Sequence, residues 1–206
     1  MIDKKRIAVL ASGFGSNLQA IIDQTQDPGI NGEIVLVFSN NKIAYALERS
    51  KKHGIKTASF NPEKFESRQQ YDKKLLELLQ NEKIDLIVMA GYMLLVGKEI
   101  IKKFAGRIIN IHPALLPSFK GVHGIKDAFD YGAKVTGVTV HFVDEELDTG
   151  PIIIQEPVII AEDDSMKTLE EKIHKIEHKI YPLAVKYFCN GRLAINGRKV
   201  EILKGE

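Results

Sequence analysis

Short apolar runs that stop at glycine or at small polar residues alternate with segments of helical spacing from residue 7 to residue 111. This alternation constrains the fold more than any other feature of the chain. Ile7-Ala8-Val9-Leu10 is followed by residues 16–25, where Leu18, Ile21 and Ile22 share one helix face. Residues 33–38 read as a second strand, and 43–53 as a helix closed by Gly54. Residues 56–60 give a short third strand. Residues 63–80 give a long amphipathic helix with Leu75, Leu76, Leu78 and Leu79 largely inside. A strand at 85–90, a helix at 98–104 and a strand at 107–111 complete the series. Continuous apolar strands separated by helices predict an α/β fold with a doubly wound, mainly parallel sheet. Ligands of such sheets bind at the C-terminal ends of the strands.

The pattern changes after Pro117. Residues 135–143 alternate, with Thr136, Thr139 and His141 among apolar residues, and 151–160 form a second extended run. They predict two antiparallel strands joined by the acidic loop Asp144-Glu145-Glu146-Leu147-Asp148-Thr149-Gly150. Residues 165–188 read as a helix with Ser165 as N-cap and a kink near Pro182. Asn196-Gly197 marks a hairpin between two short strands at the end of this C-terminal antiparallel portion.

Composition narrows the function classes. A chain of 206 residues with 44% hydrophobic and 27% charged residues suits one globular domain with a sizeable core. Lys and Arg total 29 against 27 Asp and Glu. So near a balance gives no global pull toward nucleic acid or an anionic membrane. The single cysteine, Cys189, excludes an intramolecular disulfide and a Cys-rich zinc site. The first apolar run is too short for a signal peptide, and the longest, 86–96, falls short of a membrane span. A cytoplasmic protein is expected.

Three clusters carry chemistry. Gly13-Phe14-Gly15-Ser16-Asn17 joins a strand to a helix, where close backbone approach and exposed N–H groups suit an anion such as phosphate. A dinucleotide site fits less well, because Leu18 stands where a third glycine would fall and the second strand ends in Ser39-Asn40-Asn41 without an acidic residue. The structural alternative is a tight turn capped by Ser16, and on the motif alone the two readings are level. His174-Lys175-Ile176-Glu177-His178 matches an inverted zinc-protease pattern. No third ligand supports it, and a solvated helix face with one substrate-binding carboxylate is the better reading. Asn110-Ile111-His112-Pro113 places an amide and an imidazole on the same side of a strand end. That pair suits a developing oxyanion and a proton transfer near neutral pH, and Asp148 is an available carboxylate partner.

With these residues in view, the chain resembles the folate-dependent formyltransferases, and within them the phosphoribosylglycinamide formyltransferases. The matching stretches are Ser12 to Ile21, Val37 to Asn40, Met89 to Met93, Asn110 to Pro117, Val140 to Val143, Leu147 to Ile152 and Glu177 to Pro182. The resemblance implies a Rossmann-like formyltransferase fold and a single domain over 1–206. A nucleotide-binding half would occupy 1–112, and a folate-side half with the C-terminal helix 113–206. It implies formyl transfer from 10-formyltetrahydrofolate, the co-substrate, to the amine of glycinamide ribonucleotide in purine synthesis, without a metal. Asn110, His112 and Asp148 would be catalytic. Gly15, Ser16 and Asn17 would hold the phosphate, Glu177 the ribose hydroxyls, and Gly91, Met93 and Pro113 would lie near the nucleotide. Arg68, Met93, Leu94, Leu95, Val96, Asn110, Asp144 and Asp148 would contact the folate. The partners implied are these small molecules, with no nucleic acid and no membrane; the oligomeric state is open.

Two positions depart from the family pattern: Leu94 stands where arginine is common, and Ala114 where serine is common after His-Pro. A neighbouring backbone is expected to fix the Ala114 turn. Asp148 is expected to raise the pKa of His112 against the opposing effect of burial. The alternatives are another 10-formyltetrahydrofolate enzyme, such as a deformylase, and a nucleotide-binding module with a degenerate site. A methionyl-tRNA formyltransferase would carry an added C-terminal domain, and the residues beyond about 190 are too few for one. The module would need Asn110, His112 or Asp148 to be missing.

Overall fold

A computed structural model describes residues 4–204. The chain divides into two compact units, Met1–Ile109 and Asn110–Glu206.

In the first unit, β1 (Lys5–Leu10), α1 (Ser16–Thr25), β2 (Gly32–Ser39), α2 (Tyr45–Lys52), β3 (Thr57–Ser59), a 3-10 turn (Pro62–Lys64), α3 (Arg68–Asn81), β4 (Leu86–Met89) and α4 (Lys98–Lys103) follow in order. The strands lie β3-β2-β1-β4, and each neighbouring pair is parallel. Ile7 to Leu10 and Leu86 to Val88 are fully buried, as continuous apolar strands in a covered parallel sheet must be. The expected helix at 63–80 begins later. Asn61 caps the short 3-10 turn and Ser67 caps α3, its hydroxyl accepting from the Gln70 N–H at 3.2 Å. On α3 the buried residues are Tyr71, Leu75 and Leu79, while Leu76 and Leu78 are half-buried, because only one stripe of an amphipathic helix reaches the sheet.

Strand β5 (Ile108–His112) carries the chain from the first unit into the second. There follow α5 (Gly124–Asp130), β6 (Val135–Phe142), β7 (Ile152–Ile159), α6 (Met166–Cys189), β8 (Leu193–Asn196) and β9 (Lys199–Ile202). The strands lie β5-β6-β7-β9-β8, with β6–β7 and β8–β9 antiparallel. The result is an α/β fold on mainly parallel strands with antiparallel C-terminal ones. Strand β6 is buried from Thr136 to Phe142 on both faces, so its polar residues are core residues and not a solvent-facing alternation. Ser165 caps α6 in a capping box with Thr168, and the helix runs on through Pro182. The seven-residue α5 was not expected from the sequence. Among the described residues no helix is long and apolar enough to cross a membrane.

Candidate active site

In the first unit, β1 ends at Leu10 and the chain turns through Gly13-Phe14-Gly15 into α1. Gly15 is the N-cap, with φ +76, and no side chain caps the helix. Ser16 therefore sits inside the first turn and is not the cap. A Cβ on Gly15 would lie 2.9 Å from the Ala46 Cβ, and left-handed backbone strains any other residue, so both conformation and packing require glycine here. The Ser12 hydroxyl donates to Asn40 Oδ1 at 2.6 Å and accepts from the Met93 N–H at 2.9 Å. The Ser12 N–H donates to the Gly91 carbonyl at 2.9 Å. These bonds bring the 91–93 segment to the loop that follows β1.

Residues 93–96 run on as an irregular segment in which Met93 and Leu95 are exposed, Leu94 is half-buried and Val96 is buried. The Arg68 guanidinium donates to the Leu95 carbonyl and, through Nε, to Asp72 at 2.9 Å. Arg68 thus grips the backbone of the segment in which Leu94 stands.

In the second unit, β5 turns Asn110 and His112 to the same side, with His112 3% exposed and Asn110 half-buried. His112 Nε2 donates to the Phe119 carbonyl at 2.7 Å, and its Nδ1 lies 3.5 Å from Asp148 Oδ2. Asp148 lies between two imidazoles, since its Oδ1 is 3.6 Å from His141 Nε2. His141 Nδ1 donates to the Phe142 carbonyl at 2.7 Å. That bond leaves Nε2 as the acceptor of neutral His141, 3.4 Å from Asn110 Nδ2. The Gly121 N–H donates to Asp148 Oδ2 at 2.9 Å. Phe119 and Asp148 both have positive φ, of 51° and 53°, so the cluster holds two side-chain-bearing residues in left-handed backbone.

Burial pushes the His112 pKa below the ordinary histidine value, against the upward pull of the Asp148 carboxylate and the Phe119 carbonyl. Asp148 pulls the value upward as expected, but desolvation of the imidazolium outweighs a carboxylate 3.5 Å away, so the net shift is downward. Burial also pushes Asp148 up, but His141, the Gly121 N–H and His112 outweigh it and hold the carboxyl below its usual range.

The acidic loop has its own supports. Asp144 Oδ1 accepts from the Thr149 hydroxyl at 2.6 Å and from the Glu146 N–H at 3.3 Å. A Cβ on Gly150 would lie 1.8 Å from the Phe142 carbonyl oxygen, so only glycine lets the loop close beside Asp148. The turn after Ala114 is closed by the Ser118 N–H bond to the Leu115 carbonyl at 3.0 Å, and a side chain also holds it. The buried Thr139 hydroxyl donates to the Ala114 carbonyl at 2.6 Å and accepts from the Leu116 N–H at 3.1 Å. Glu177 is 5% exposed on α6, with the half-exposed His174 donating to it at 3.0 Å. That bond raises the His174 pKa. The sequence reading passed over His141 and Phe119. His141 was legible only as a polar residue in an apolar strand, and the Phe119 carbonyl carries no side-chain signal.

The model of the formyl transferase family matches residues 5–185. The chain belongs to this family. It is similar to the phosphoribosylglycinamide formyltransferase of Bacillus subtilis, 40% identical over 194 residues that cover 94% of this chain and 97% of that protein. It is 42% identical over 197 residues to the trifunctional purine biosynthetic protein adenosine-3 of Bos taurus, covering 95% of this chain and spanning a fifth, 20%, of that protein's length. Among solved structures, glycinamide ribonucleotide transformylase 1 of Symbiobacterium toebii superposes with a TM-score of 0.95 at 43% identity, covering 99% of this chain and 96% of that one. A formyltetrahydrofolate deformylase of Pseudomonas syringae shares the fold at a TM-score of 0.89 but only 25% identity, with 98% of this chain covering 67% of that one.

Proposed function

We propose that this formyl transferase moves the formyl group of 10-formyltetrahydrofolate onto the amine of 5'-phosphoribosylglycinamide, as one cytoplasmic domain over 1–206 acting on small molecules alone. The observation that carries the reading is the cluster of half-buried Asn110 with buried His112 and Asp148, in which an amide and an imidazole share a strand face beside an ionised carboxylate. Near-full-length similarity to enzymes named for this reaction supports it over deformylation.

In the reaction, the substrate amine attacks the formyl carbon and the formyl oxygen becomes an alkoxide. The Asn110 amide, turned toward His141 Nε2 by one N–H, has a second N–H for that oxygen. His112 would stabilise it as well, exchanging its bond to the Phe119 carbonyl for one to the oxygen. Collapse breaks the bond from carbon to N10, while the proton lost by the amine reaches N10 through bound water. Asp148 favours the protonated imidazole as charge develops.

Gly15, Ser16 and Asn17 would hold the substrate phosphate at the start of α1. Glu177 would take the ribose hydroxyls, with Gly91, Met93 and Pro113 beside the nucleotide. Arg68, Met93 to Val96, Asn110, Asp144 and Asp148 would meet the folate, and Arg68 would act through its hold on Leu95. The test is a formyl-transfer assay with both substrates and a control lacking the ribonucleotide. Formylated ribonucleotide is the expected product, and equal loss of formyl without the ribonucleotide would overturn the reading in favour of a deformylase.

A further inference from the structure

We propose that Arg49, with its stacked partners Phe14 and Tyr45, is a positioning residue that aims the backbone of the anion loop at the substrate phosphate. The proposal rests on the reading that Gly15, Ser16 and Asn17 bind that phosphate.

Arg49 is half-buried on α2 and reaches back over the loop. Its Nε donates to the Phe14 carbonyl at 3.0 Å, and its Nη1 donates to Gln19 Oε1 on α1 at 3.2 Å. Its guanidinium also lies 4.4 Å from the centre of the Phe14 ring and 4.9 Å from that of Tyr45. The two rings stack at 5.3 Å although Phe14 is 67% exposed. One residue earlier, the Ala46 N–H donates to the Gly13 carbonyl at 3.1 Å. Two successive loop carbonyls are therefore turned toward α2.

In a trans peptide the C=O and the following N–H point in opposite directions. Turning the Gly13 and Phe14 carbonyls toward α2 aims the Phe14 and Gly15 N–H groups away from it. They then point to the open side of the loop, next to the first N–H groups of α1, which favour an anion. Arg49 acts on the second of these peptides, and its charge adds attraction for a phosphate in the same place. Phe14 supplies both the carbonyl and a ring that holds the guanidinium flat against the loop.

The test compares glycinamide ribonucleotide with its dephosphorylated riboside, as substrates and in titration calorimetry, using the full chain. In Arg49→Gln we expect KM and Kd for the ribonucleotide to rise about tenfold, with kcat within about twofold of wild type and the constants for the riboside unchanged. Phe14→Ala should show a smaller loss of the same phosphate-selective kind, and Phe14→Tyr, which keeps the ring, should behave as wild type. Equal losses for both ligands in Arg49→Gln would make Arg49 a general support of the fold and overturn the proposal. If wild type itself binds the two ligands equally, the phosphate reading fails and the proposal fails with it. Discrimination by wild type that survives in both Arg49→Gln and Phe14→Ala overturns the proposal alone.

Discussion

Asp148 serves two imidazoles at once, 3.5 Å from His112 and 3.6 Å from His141. Its pKa is held below the usual carboxylate range, so it is ionised throughout the neutral region. Asp148→Asn keeps the shape and removes the charge. The His112 pKa should then fall further, because the carboxylate is its largest upward influence. Turnover should drop by about 10²–10³, the order of one lost electrostatic contribution to an oxyanion, here lost through the weakened charge on His112. Histidine-resolved NMR and single-turnover kinetics read the two effects, and an unmoved pKa would leave Asp148 with a role in loop order alone. The depressed His112 value also sets a pH dependence of stability. Between the unfolded value of about 6.5 and the lower folded value, the unfolded chain binds a proton that the native one refuses. Stability is therefore lost as pH falls through that window. Asp148 stays ionised there and does not contribute to the slope; His178, also shifted down, adds to it, and His174, shifted up, opposes it. Against that background His112→Gln should flatten the loss of urea midpoint between pH of about 7.5 and about 5.5. At this scale the sequence showed by residue type and strand parity that Asn110 and His112 share a strand face, and it offered Asp148 as a partner. It did not disclose the sign of the His112 shift, because desolvation depends on residues such as Phe119 and Gly124, packed around the ring from a distance in the chain.

Elements were legible where a period and a cap agree. Helix α1 begins and ends where its spacing predicts, and α6 begins at the predicted Ser165 cap. Ser165→Ala removes the acceptor for the Thr168 N–H at 3.2 Å and should cost about 1 kcal/mol by denaturant titration. The reading failed where local chemistry overrode periodicity. The Ser67 cap breaks the 63–80 run into a 3-10 turn and α3, and the short α5 shows too few turns to display a period. Strand β6 alternates polar and apolar residues in sequence, yet from Thr136 to Phe142 both kinds are buried. Thr139 is bonded to Ala114, Leu116 and Gln155, so an alternating pattern here encodes a buried hydrogen-bond network. The loop between β6 and β7 adds a packing constraint of its own. Gly150→Ala drives a Cβ into the Phe142 carbonyl and must displace the loop that carries Asp148. Turnover should fall at least as far as in Asp148→Asn, and reduced protection of the 144–150 amides in hydrogen exchange should accompany it.

At the scale of the whole molecule, binding and chemistry are assigned to different stretches of the chain, and this separates their readouts. The anion loop opens α1, whereas Asn110, His112 and Asp148 lie after residue 109. A ligand that binds only the folded chain stabilises it by RT ln(1 + [L]/Kd), about 2.7 kcal/mol at a hundred times Kd. Glycinamide ribonucleotide alone should therefore raise the melting temperature of wild type. His112→Ala should keep most of that rise while losing turnover, because its imidazole is assigned to a charge that would appear only during reaction. Ser16→Ala should do the reverse, keeping turnover at saturating substrate while losing part of the thermal shift. Glu177 makes the comparison sharper, since it lies on α6, far along the chain from the loop, yet is assigned to the same ligand. Glu177→Gln should lose thermal shift as Ser16→Ala does, and the loss should persist with the dephosphorylated riboside, which retains the hydroxyls that the carboxylate would hold. Ser16→Ala should show no such loss with the riboside. If instead His112→Ala abolishes the shift while Ser16→Ala and Glu177→Gln leave it intact, the nucleotide is held elsewhere and the assignment of the anion loop falls.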